Sequence, residues 1–243
     1  MLSYSSLKAF LKSPNHYLLY KQGTEPTEAM KKGSAADCLI LTPERFKDEY
    51  YVLDDTKKVL ELSNFKNPRA TKVYKEWFSK ETERAQERTI LTLEEYDSLT
   101  KIKAAVWAQT NILEGTERQV ELKGEINRVE FRGYADAIGD AVIDLKTTVN
   151  SSPDFFQRQS YNLKYHLQAA IYLQLSGKKD YFIIAVEKEA PYNCQVYALS
   201  KDAIEAGREL MYYGIDKFKS WNGEPEGYSA NVELLDLPKW AKY

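Results

Sequence analysis

The stretch Phe131-Arg132-Gly133-Tyr134-Ala135-Asp136-Ala137-Ile138-Gly139-Asp140-Ala141-Val142-Ile143-Asp144-Leu145-Lys146-Thr147-Thr148 decides how this chain folds. Two apolar runs with β-branched residues flank a Gly-Asp turn signal, the pattern of a β-hairpin. The second run is interrupted by Asp144 and Lys146, two ionised groups that carry a desolvation cost on an otherwise apolar strand unless a partner compensates them. An acid-x-Lys triplet alone is weak evidence, because Asp55-Thr56-Lys57 has the same spacing. That triplet runs on into Lys58 and a charged helical segment, with no carboxylate on a preceding strand.

Asp136 is the partner carboxylate that Asp144 needs, and register decides whether the two meet. If Gly139-Asp140 were a two-residue turn, Asp136 would stand opposite Ile143 and the carboxylates would face opposite sides. A three-residue loop over 139–141 puts Asp136 opposite Asp144. Two carboxylates on one sheet face can hold Mg²⁺ through oxygen. Lys146, two residues on, shares the face of Asp144. From there it can orient or deprotonate a water while the metal neutralises developing phosphorane charge. These are the requirements of metal-dependent phosphodiester cleavage. The competing reading is a structural Asp–Lys pair at a strand end.

Working outward, the region before this hairpin has helical period. Leu7, Phe10 and Leu11 share one face of a helix over 5–12, and Ser13-Pro14 caps a second helix that stops near Gly23. A short apolar helix is expected over 34–41 after Gly33, and Thr42-Pro43 opens the next. The segment 69–88 reads as a long charged helix with Val73, Trp77 and Phe78 inward. Thr92-Leu93-Glu94-Glu95 is a capping box for a helix that carries Leu99, Ile102, Val106 and Leu113 before Gly115. Three short strands, 119–126, 131–138 and 141–147, then form an antiparallel meander. Helical period returns over 161–175, where Tyr161, Tyr165, Gln168 and Tyr172 form one stripe. In a chain with 18 tyrosines such a stripe is commonly plain surface; beside the triplet, Gln168 is placed to hydrogen-bond a phosphate or hold Lys146. A buried strand over 181–186 hairpins through Pro191-Tyr192-Asn193 to 194–199, and Ser200 caps a last helix reaching Trp221. The tail 235–240 is irregular. This order predicts an α/β sandwich with a mixed sheet flanked by helices, in one domain: 1–115 mainly helical, 119–221 carrying the sheet and the site.

At 243 residues, with 43% apolar and 29% charged residues, the chain can bury a sizeable core. No run of eighteen apolar residues and no signal-like N-terminus is present, so neither membrane insertion nor secretion is expected. Cys38 and Cys194, with only His16 and His166 beside them, make a disulfide scaffold or a zinc site improbable and point to an intracellular home. A net charge of −2 and a pI of about 5.9 argue against a generally basic nucleic-acid-coating surface. A local basic patch or a ring of subunits could still hold DNA.

Arg132-Gly133-Tyr134-Ala135-Asp136, Ile143-Asp144-Leu145-Lys146-Thr147-Thr148 and Tyr165-His166-Leu167-Gln168-Ala169-Ala170-Ile171-Tyr172 together resemble the core of the PD-(D/E)xK nucleases. The closer resemblance is to the RecE/exodeoxyribonuclease VIII group of phage recombination exonucleases, related to RecB-type nuclease domains. Ser5-Ser6-Leu7-Lys8-Ala9-Phe10, Ser13-Pro14, Ala29-Met30-Lys31-Lys32-Gly33-Ser34-Ala35, Leu39-Ile40-Leu41-Thr42-Pro43-Glu44-Arg45-Phe46 and Leu237-Pro238-Lys239-Trp240-Ala241 extend the likeness over nearly the whole chain.

The resemblance implies a restriction-endonuclease-like core. Asp136 and Asp144, joined by the Leu145 backbone carbonyl, would be metal ligands, Lys146 the catalytic lysine, and Gln168 and Tyr172 the Gln-x-x-x-Tyr pair behind the site. Glu125 would be the upstream acid, although Glu121 aligns nearly as well. After Gly33-Ser34-Ala35-Ala36, where the family has a metal-facing His, this chain has Asp37, which can also bind Mg²⁺. The implied activity is Mg²⁺-dependent exonucleolytic cleavage from duplex DNA ends, 5′ to 3′, with Mn²⁺ able to substitute. The implied partners are a single-strand annealing protein and further copies of the chain in a trimeric or tetrameric ring, in the cytoplasm of a bacterial host from a phage or prophage gene. The alternatives are a catalytically weakened DNA-end-binding accessory protein and an endonuclease on branched or single-stranded DNA.

Overall fold

The computed structural model describes residues 1–23, 25–228, 232 and 234–236; the tail motif at 237–241 lies outside them. Five strands form the central sheet in the order β3-β4-β5-β6-β7. They are β3 (Glu117–Ile126), β4 (Val129–Ile138), β5 (Val142–Thr148), β6 (Tyr181–Glu187) and β7 (Cys194–Ala198). β3, β4 and β5 are an antiparallel meander, β5 and β6 are parallel, and β7 returns antiparallel. The parallel step needs a crossover. It is supplied by α8 (Pro153–Leu163) and α9 (Tyr165–Ser176).

Helices cover both faces. On one, α1 (Tyr4–Lys12), α9 and α10 (Lys201–Ser220) bury Leu7, Phe10, Leu167, Ile171, Met211 and Ile215 against Val142, Ile183 and Ala185. On the other, α3 (Glu28–Leu41) and α7 (Leu93–Gln109) bury Leu39, Ile40, Ile102 and Val106 against Ile143, Leu145, Ile184 and Val186. Strands apolar on both sides are what a sheet sandwiched between helix layers requires.

The β4–β5 ladder is short. It joins only Ile138 to Val142 and Ala137 to Ile143, and the strands then part. Leu2 fills the vacated edge of β4: its N–H donates to the Glu130 carbonyl and its carbonyl accepts from the Arg132 N–H. The chain turns straight from there into α1, so the fork between β4 and β5 is roofed by the first helix.

Close packing of α9 on α10 depends on Gly207, where a Cβ would stand 2.1 Å from the His166 carbonyl oxygen. Alanine in a helix interior ordinarily gains about 1 kcal/mol over glycine. Here the overlap with backbone reverses the sign, and Gly207→Ala is expected to destabilise by about 1–3 kcal/mol, read as a lowered midpoint in urea at unchanged slope.

Several elements differ from the sequence expectation. The apolar helix after Gly33 begins six residues earlier, because Thr27 caps it by accepting from the Met30 N–H, and Gly33 lies within it. The charged helix is α6 (Lys72–Ala85), with Tyr74 and Ala85 inward and Val73 and Phe78 exposed. A small parallel pair, β1 (Tyr50–Leu53) with β2 (Thr89–Thr92), was not anticipated. The stripe expected on one helix is divided by Lys164, whose φ of 60° ends α8 and restarts the chain as α9. The capping box at Thr92 and Glu95 is present in both halves.

Candidate active site

The fork between β4 and β5 gathers the ionisable residues. Ile138 pairs with Val142, so the connection is the three-residue loop 139–141 and Asp136 stands opposite Asp144 just beyond the last ladder pair. With no strand partner there, the Leu145 N–H donates to Asp136 Oδ2 at 2.7 Å. The other side of β4 is also relaxed: its pairing to β3 skips Asp136 and Gln119, and Gln119 has a φ of 50°. Asp144 is 2% exposed. Its Oδ1 accepts from Gln168 Nε2 at 2.9 Å, and its Oδ2 meets the Lys146 ammonium at 2.6 Å.

Aromatic hydroxyls line the rest. The Lys146 ammonium lies 5.4 Å from the centre of the Tyr165 ring. Tyr172 packs on Gly133, where a Cβ would lie 2.7 Å from the ring, so any larger residue displaces it. Tyr181, 1% exposed at the start of β6, has a hydroxyl without a hydrogen-bond partner. Burial, then the Asp144 charge, pushes its pKa well up. Gln168 Oε1 is likewise buried and unpaired. Sequence reading did not single out Gln119 or Tyr181, and no local pattern marks either.

The electrostatics are those of too many carboxylates. Burial and the neighbouring Asp144 charge raise the Asp136 pKa to about 7, against the Lys146 charge and the Leu145 N–H. Asp37, half-buried on α3, is raised well above the carboxylate range by burial and by Asp136. Burial opposes the charge on Lys146, yet Asp144 and Asp136 hold its pKa above the ordinary lysine value. The two carboxylates thus favour the ammonium form of Lys146 in the metal-free site.

The structure brings together Asp136, Asp144, Leu145, Lys146, Gln168 and Tyr172, with Asp37 close enough to respond to their charges. It does not bring Glu125. That residue is exposed opposite Glu130 near the β3–β4 turn. Asp136 lies six positions further along β4 than Glu130, roughly 20 Å at the rise of a strand. Glu121 is exposed and ion-paired with Arg132. Glu125 thus lies far along the hairpin from the fork, whereas Glu121 stands opposite Tyr134, two residues from Asp136, and is engaged by Arg132. Tyr161, 73% exposed, stacks on His166 outside the site.

A divalent cation fits these residues in donor type and charge. The donors are hard oxygens, and three carboxylates share one ammonium, a deficit that leaves Asp136 and Asp37 inclined to keep protons. The present side-chain positions do not converge on one point: among the described residues no three His, Cys, Asp or Glu are set to hold an ion. Lys146 occupies one oxygen of Asp144.

One solved structure agrees with the fold. The crystal structure of a candidate exonuclease from Eubacterium rectale superposes with a TM-score of 0.62 at 16% identity, over 97% of this chain and 89% of that one. A phage-related exonuclease from Haemophilus somnus 129PT matches at 14% identity over 90% of this chain and 95% of that one, with a TM-score of 0.35. No curated protein matches the sequence. A family model, described as a PDDEXK-like domain of unknown function, matches residues 3–234. A match of that extent, on a chain whose split sheet carries Asp136 and Asp144-Leu145-Lys146, means that this protein belongs to the PDDEXK-like family DUF3799.

Proposed function

We propose that the protein is a Mg²⁺-dependent deoxyribonuclease that degrades DNA from duplex ends. The observation that carries this is the fork: Asp136 and Asp144 opposite one another, Lys146 on Asp144, and Gln168 fixing the second oxygen of Asp144. Asp136 and Asp144, with Asp37 and the Leu145 carbonyl, would hold the cation, with Mn²⁺ an adequate substitute. Bound there, the metal supplies Lewis-acid stabilisation of charge on the phosphate.

The protein's own groups do the rest. The Leu145 N–H and Gln168 each hold one carboxylate in a single rotamer, so the donor oxygens need little reorganisation on binding. The Lys146 ammonium donates to the attacking water and offsets negative charge as the phosphate is attacked. The Tyr165 ring beneath it limits its wandering. Tyr172 and Gly133 fix the distance between α9 and β4, which positions Gln168.

The choice of duplex ends over other DNA follows the family likeness, and the exonuclease description of the Eubacterium rectale protein agrees with it. Polarity from 5′ to 3′, handover of the remaining strand to an annealing protein, and assembly into a ring of three or four copies belong to the same proposal, as does a cytoplasmic site of action. Among the described residues no helix is long and apolar enough to cross a membrane. Several basic residues that could line such a ring are paired locally: Arg69 with Asp55, Lys31 with Glu28, Lys32 with Glu95 and Lys72 with Glu76. Ring formation therefore rests on sedimentation in Mg²⁺ with DNA, where a trimer or tetramer is expected.

A second reading has one observation in its favour. Because no three ligands among the described residues are pre-set for an ion, the chain could bind DNA ends without cutting them. Incubation with linear and with closed circular duplex, with Mg²⁺ or with a chelator, separates the readings. Expected is loss of linear DNA only with Mg²⁺, and intact circles. Cut circles would make the enzyme an endonuclease; binding without cutting at any metal concentration would establish the accessory role instead.

A further inference from the structure

Lys8 differs from the other lysines of the N-terminal third. It is half-buried on α1, and among the described residues no carboxylate lies within ion-pair distance of it. Its ammonium donates to the Tyr4 hydroxyl at 3.3 Å and lies 4.7 Å from the centre of the Tyr4 ring. The Tyr4 hydroxyl in turn donates to the Leu163 carbonyl. That bond ties the first turn of α1 to the corner between α8 and α9, which is occupied by Lys164.

Lys164 is also half-buried and also without a carboxylate partner among the described residues. Its φ of 60° is the left-handed region, where glycine would be less strained by about 1–2 kcal/mol. A lysine held at that corner is accounted for if its ammonium has a use. The next residue, Tyr165, carries the ring over which Lys146 lies. No side chain caps the start of α9 at this point.

We propose that Lys8, tied through the Tyr4 hydroxyl to the Leu163 carbonyl, and Lys164 at the adjoining corner form a phosphate subsite beside Lys146 that holds a phosphate of the DNA other than the one being cut. The proposal rests on the nuclease reading of the fork and extends it to how the strand is held. The charges agree with the geometry: burial and the nearby Lys146 and Lys164 lower the pKa of Lys8. Lys8 thus feels both other ammonium groups, and among the described residues only Lys146 of the three has a carboxylate against it. An anion placed among them relieves that repulsion. After its bond to Tyr4, Lys8 retains two N–H donors for phosphate oxygens. The phosphate can be an internal phosphodiester or a terminal phosphate of the strand end, and the chemistry of the subsite is the same for both.

The test is anisotropy of a fluorescein-labelled 20-base-pair duplex, titrated in chelator across a series of KCl concentrations. The duplex is prepared with 5′-phosphate or with 5′-hydroxyl ends, and the proteins are wild type, Lys8→Ala, Lys164→Ala and the double variant. Each lost phosphate contact should reduce the slope of log K against log salt by about 0.9. The double variant should lose roughly ten-fold or more in affinity at moderate salt, and Lys8→Arg should recover most of it. Lys75→Ala, an exposed and unpaired control, should change neither quantity.

A loss equal on both end types assigns the subsite to an internal phosphodiester, and a loss confined to phosphorylated ends assigns it to the terminal phosphate. Unchanged slope and affinity in the double variant, or a wild type that does not bind duplex, overturns the subsite. Because the readout needs no hydrolysis, a wild type that binds with the expected slope but never cleaves in Mg²⁺ overturns the nuclease reading alone.

Discussion

Lys146→Ala is expected to reduce Mg²⁺-dependent DNA cleavage by on the order of 10²–10⁴-fold, the usual contribution of a positioned proton-transfer or charge-stabilising group. The physical basis is the location of the ammonium, 2.6 Å from Asp144 Oδ2 and against the Tyr165 ring. Duplex affinity should change little, since one lysine is a small part of a multi-phosphate contact set. Removing the ammonium also leaves Asp144 buried without its counter-charge, so folding must be checked separately. Lys146→Gln, one atom shorter and neutral, keeps an N–H donor that can face Asp144, and circular dichroism melts of both variants show whether each still folds. Single-turnover cleavage with both variants, beside anisotropy on the same duplex, separates chemistry from binding. Near-normal turnover in Lys146→Ala would move the chemistry away from β5.

Asp136→Asn is expected to stabilise the metal-free protein at alkaline pH while abolishing cleavage. An aspartate in the unfolded chain titrates near 3.8, whereas in the fold Asp136 titrates at about 7 because it is buried beside Asp144. A raised folded pKa means that the native state holds the proton more tightly than the unfolded state. Its stabilising contribution is complete below the unfolded value and is lost as pH rises through the folded one. Asp37, raised for the same reasons, adds in the same direction.

Between pH 4 and pH 8 the wild type should therefore lose on the order of 2–4 kcal/mol relative to Asp136→Asn, measured by urea unfolding in chelator. The asparagine oxygen can still accept from the Leu145 N–H, so the substitution removes charge and leaves that hydrogen bond available. Added Mg²⁺ should restore the wild type at pH 8 and leave the variant nearly unaffected. A wild type whose stability relative to the variant does not fall across that range would show that Asp136 is ionised without a metal.

The triplet, the capping box at Thr92, the proline-opened helix at Pro14 and the mixed sheet could all be read from the chain. Each is set by neighbours within a few residues: turn chemistry, helix-end hydrogen bonds, or an alternation of apolar and polar positions. Even the register was framed correctly as a choice, since one residue more or less in the 139–141 loop reverses which face Asp136 takes.

What the sequence could not supply was anything fixed by groups distant along the chain. Glu125 looked eligible from the family resemblance, and its register beside the β3–β4 turn, far along the hairpin, is what removes it from the fork. Val73 and Phe78 proved exposed because the partner face of α6 is chosen by what packs on it, not by its own apolar residues. The tyrosine stripe divides at Lys164, at a corner that α1 reaches through the hydrogen bond of Tyr4 to Leu163, residues 159 positions apart. The raised pKa of Asp136 likewise comes from burial beneath elements drawn from both ends of the chain. The sequence by itself determined which side chains could do the chemistry; tertiary structure decided which of them meet, and in what charge state, because burial and proximity are properties of packing rather than of order along the chain.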